Sequence, residues 1–101
     1  MKIKLSKYEV DISEDKMTWG QKEIVRFTFI EPNTGKITAE SMLNSKIKRF
    51  EYAIKEIREG DKKIPFSSEW VMALCDEDGT LLVSEINEID QKKNIELTDL
   101  K

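Results

Sequence analysis

The chain contains no histidine. That removes the commonest general base, the usual physiological pH switch and the commonest metal ligand. A single cysteine, Cys75, excludes an internal disulfide. No apolar run approaches the roughly 20 residues a membrane span requires, and no signal peptide is visible at the N-terminus, so a cytoplasmic location is expected. The glycines, Gly20, Gly35, Gly60 and Gly79, stand alone and form no phosphate-cradling loop. A basic surplus is also missing: 17 basic against 20 acidic residues give a net charge of −3, which argues against a nucleic-acid partner. No membrane partner and no cofactor are indicated.

What is present is a soluble balance of 37 % charged and 39 % apolar residues in 101 positions, enough for one small domain. The charge is uneven. Lys46 to Lys63 holds seven bases and four acids, whereas Asp76 to Asp90 holds six acids and no base. Such segments are able to attract each other within the fold or across a homo-oligomer.

Between Ser41 and Glu59 the residues Leu43, Ile47, Phe50, Ile54 and Ile57 recur at steps of four and three. They fall within an arc of roughly 80° on a helix. This predicts a long central helix over 41–59, stopped by Gly60, with Phe50 in the core and Tyr52 on the opposite face. Residues 2–12 alternate, with Ile3 and Leu5, then Tyr8, Val10 and Ile12, around Ser6-Lys7. The pattern reads as a short β-hairpin. Thr18 and Gln21 fit a capping box, opening a helix over about 18–30 that Pro32 ends. Val25, Phe27 and Phe29 also alternate as a strand would. As a helix, this segment is apolar almost all round, which implies near-complete burial. Phe66, Ser67 and Val71 make a hydrophobic staple before a helix over 68–75, and Asp78 caps another over 79–90. The expected fold is therefore α+β and mainly α-helical, with the N-terminal hairpin packed on about four helices. Residues 1–90 form the globular domain, and 91–101 a flexible tail.

Candidate sites are few. Aligning Gly79 with position six of a calcium loop puts Asp76 and Asp78 at positions three and five and Glu85 at twelve. Leu74 and Leu82 then occupy two positions where oxygen is needed, so no metal is expected there. A protein- or ion-binding adaptor using this acidic Asp76–Glu85 turn is the alternative functional reading. Cys75 has no basic neighbour to activate it and reads as a small buried hydrophobe. Trp19 and Trp70, each in the first turn of a helix, read as core packing with the indole N–H on a carbonyl, or as partner contacts. Tyr52 reads as a surface tyrosine or an aromatic partner contact. No catalytic constellation is present, and a non-enzyme is expected.

The order of these signals carries a resemblance. After the β pair, Met17-Thr18-Trp19-Gly20-Gln21-Lys22-Glu23 opens a helix. Glu31-Pro32-Asn33-Thr34-Gly35-Lys36-Ile37 makes a turn before the long helix. Ile64-Pro65-Phe66-Ser67-Ser68-Glu69-Trp70 follows, and Asp76-Glu77-Asp78-Gly79-Thr80-Leu81-Leu82 leads to Ile86-Asn87-Glu88-Ile89. Over roughly residues 3–90 this resembles the tail assembly chaperones of long-tailed bacteriophages. The bulky Glu69-Trp70-Val71-Met72 departs from the pattern. The resemblance implies a helical, non-enzymatic protein of the host cytoplasm, absent from the mature virion. It implies binding to the tape measure protein, recruitment of the tail tube protein, and, as in many members, a longer frameshifted form. It transfers no catalytic residue.

Overall fold

The structure, a computed structural model, describes the backbone of residues 1–99 and the side chains of residues 1–91. The element order is β1 (Lys2–Lys4), β2 (Glu9–Ile12), α1 (Trp19–Thr28), α2 (Ala39–Ala53), β3 (Ile54–Glu59), β4 (Lys62–Ile64), α3 (Ser68–Met72) and α4 (Asp76–Asp99). The fold is α+β and mainly helical. Of the tail expected over 91–101, the side chains after Gln91, and residues 100 and 101 altogether, lie outside the described residues. The chain divides into two compact units: Met1–Lys16 with the segment from Ile54 onward, and Met17–Ala53.

The first unit is built on a four-stranded antiparallel sheet in the order β1-β2-β3-β4. The N-terminal hairpin forms as the alternation predicts, turning at Ser6-Lys7, where the Leu5 N–H donates to the Tyr8 carbonyl at 2.8 Å. The central helix predicted over 41–59 does not. It stops at Ala53, and Ile54–Glu59 is a strand paired with β2, Val10 opposite Ile57. Long-range pairing overrides the local helical period: Ile57 lies beside Val10 and Ile64, and the row Ile3, Val10, Ile57, Ile64 lines one sheet face. Gly60 is therefore not a helix stop. With φ at +62°, and no non-glycine residue at positive φ among the described residues, Gly60-Asp61 forms the two-residue type II′ turn of the β3–β4 hairpin.

Ile3, Leu5, Val10, Ile12 and Ile57 are buried, as are Leu82 and Ile86, four residues apart on α4. The Asp78 carboxylate on the same helical face takes the Ser6 N–H at 3.1 Å and the Ser6 hydroxyl at 2.9 Å, tying α4 to the hairpin turn. The other sheet face is charged, with Lys4 opposite Glu9, Glu9 opposite Arg58 and Arg58 opposite Lys63. One packed and one solvated face is the ordinary condition of an antiparallel sheet. On that charged side Glu56 meets Arg58 at 2.9 Å and Lys63 at 3.2 Å, and these two cations hold its carboxyl below the usual range.

The second unit is a helical hairpin. Thr18 caps α1 through the full capping box: its hydroxyl oxygen accepts from the Gln21 N–H at 3.1 Å, and the Gln21 side chain returns to the Thr18 N–H at 3.0 Å. Thr38 and Ser41 make a similar reciprocal pair at the start of α2. Small residues form the seam between the helices. Ser41 and Ser45 are buried, and the Ser45 hydroxyl donates to the Val25 carbonyl at 2.9 Å. The buried stripe of α2 thus runs through serines, while Leu43, expected in the core, is exposed. Phe50 and Ala53 are buried at its C-terminal end.

An exposed apolar helical hairpin as the candidate site

Helix α1 has no buried residue. The all-round apolar pattern of Ile24, Val25, Phe27 and Phe29 implied near-complete burial, and the structure reverses this. Two helices can cover only one stripe of each other, and the seam at Ser41 and Ser45 uses that stripe. Ile24, Phe27, Phe29 and Ile30 remain exposed, together with Ile37, Met42 and Leu43. Isolated surface apolar residues are ordinary, whereas so many on one short hairpin are not.

The hairpin carries an open groove on each flank of its seam. One is lined by Ile24, Phe27 and Ile30 with Glu31 and Glu40. The other is lined by Val25, Phe29, Met42 and Leu43 with Lys46 and Arg49. Glu31 is fixed by the turn that joins the helices. Its carboxylate accepts from the Thr34 hydroxyl at 2.7 Å and from the N–H groups of Thr34 and Asn33 at 2.9 and 3.1 Å. The Thr34 hydroxyl first, then the Asn33 amide, hold the carboxyl below its ordinary range. Gly35, at φ +68°, closes this turn by donating to the Glu31 carbonyl at 2.8 Å.

The three aromatic residues singled out as partner contacts are placed differently. Trp19 opens α1 and is 78 % exposed, so core packing does not hold for it. Tyr52 lies half-buried on the last turn of α2. Trp70 belongs to the other unit and is 7 % exposed. Its ring is taken up by Tyr8, edge-on at 5.5 Å, and by Phe66 at 6.4 Å. A ring so covered is a core residue rather than a contact surface, and its Nε1 finds no hydrogen-bond partner among the described residues, contrary to the expected carbonyl. Residues the periodicity assigned to burial, above all Phe27 and Leu43, form the exposed face instead.

The acidic Asp76–Glu85 segment is not a turn. It is the start of α4, Gly79 included, so the looped backbone of a calcium site is not formed, and Asp78 is engaged by Ser6. Among the described residues no three metal-ligating side chains cluster, and no helix is long and apolar enough to cross a membrane. Cys75 is exposed rather than buried, its Sγ 3.7 Å from the Ser6 hydroxyl oxygen.

No family model, curated protein or solved structure matches this chain.

Proposed function

We propose that this protein is a non-enzymatic tail assembly chaperone of a long-tailed bacteriophage, acting in the host cytoplasm. It binds the tape measure protein, keeps that protein's helical apolar stretches soluble and brings tail tube subunits to it. The observation that carries the reading is the hairpin Met17–Ala53, whose first helix buries none of its apolar side chains. An exposed two-helix face suits a partner that is itself a long apolar helix, because helices dock in the groove between two others through anchors one turn apart. The order of helix starts and turns, which resembles that of the chaperone family, supports the same role. Affinity per copy is modest on so small a face, and repetition along a long partner supplies the rest.

Co-expression with the tape measure protein of the same genome tests the reading. Wild-type protein is expected to hold the partner in the soluble fraction and to co-purify with it in many copies. The double variant Phe27→Asp, Met42→Asp, with the sheet unit's circular dichroism unchanged, is expected to leave the partner insoluble. A partner equally soluble with both proteins, or soluble with neither bound, rejects the function.

A further inference from the structure

We draw no further inference here: the strongest candidate, the apolar groove on the helical hairpin lined by Val25, Phe29, Met42 and Leu43, carries nothing further, since nothing in the structure shows what covers it.

Discussion

Phe50 is 5 % exposed and Phe27 is 68 % exposed, although both are phenylalanines on helices of the same unit. Phe50→Ala is therefore expected to cost about 3–5 kcal/mol in urea denaturation, as for a buried aromatic. Phe27→Ala is expected to cost under about 0.5 kcal/mol, as at a surface position away from special features. Similar costs for the two would show that Phe27 is covered. The buried place of Phe50 was legible from its spacing to Ile54 and Ile57, but for the wrong reason, since those two isoleucines lie on a strand. Leu43 was not legible, because a close helix–helix seam selects the small Ser41 and Ser45 and turns the larger side chain outward. Glu31 gives a pH test at the same scale. Its folded carboxyl is held below the ordinary value of 4.5 by Thr34 and Asn33, so its contribution is complete above that value. It is lost as pH falls through the lowered folded value. Glu31→Gln is expected to flatten the acid limb of the melting temperature against pH, and an unaltered limb would show that the turn does not depend on this carboxylate.

Elements defined by their own termini were readable, and elements defined by distant partners were not. Thr18 with Gln21 and Ser67 before Trp70 marked two helix starts through the hydrogen bonds the structure forms there. Strand β3 was hidden because Phe50, Ile54 and Ile57 keep a helical period across the junction at Ala53, and only pairing with Val10 and Ile64 reveals the strand. The glycines separate the two kinds of element experimentally. Gly60 holds φ at +62°, so Gly60→Ala is expected to cost about 1–2 kcal/mol. Gly79 is helical and a Cβ there meets nothing within 4 Å, so Gly79→Ala is expected to stabilise by up to about 1 kcal/mol. Stabilisation at Gly60 would mean that the β3–β4 turn is wrong, and loss at Gly79 would favour the looped arrangement over the helix.

At the scale of the molecule, the chain inserts a helical hairpin between two neighbouring strands of one sheet, β2 and β3. The sheet unit buries Ile3, Leu5, Val10, Ile12 and Ile57 together with Leu82 and Ile86 of α4, whereas the hairpin leaves Ile24, Phe27, Met42 and Leu43 exposed. The starts of α1 and α3 were legible in the sequence. The location of the face depended on which apolar residues go unburied, and periodicity does not state that. The most direct test is amide hydrogen exchange of the protein alone and in complex with the tape measure protein. New protection is expected to concentrate in 17–53, strongest in α1 and the first half of α2, with the sheet of β1 to β4 unchanged. Protection confined to the strands or to α4, with 17–53 exchanging as in the free protein, would contradict it.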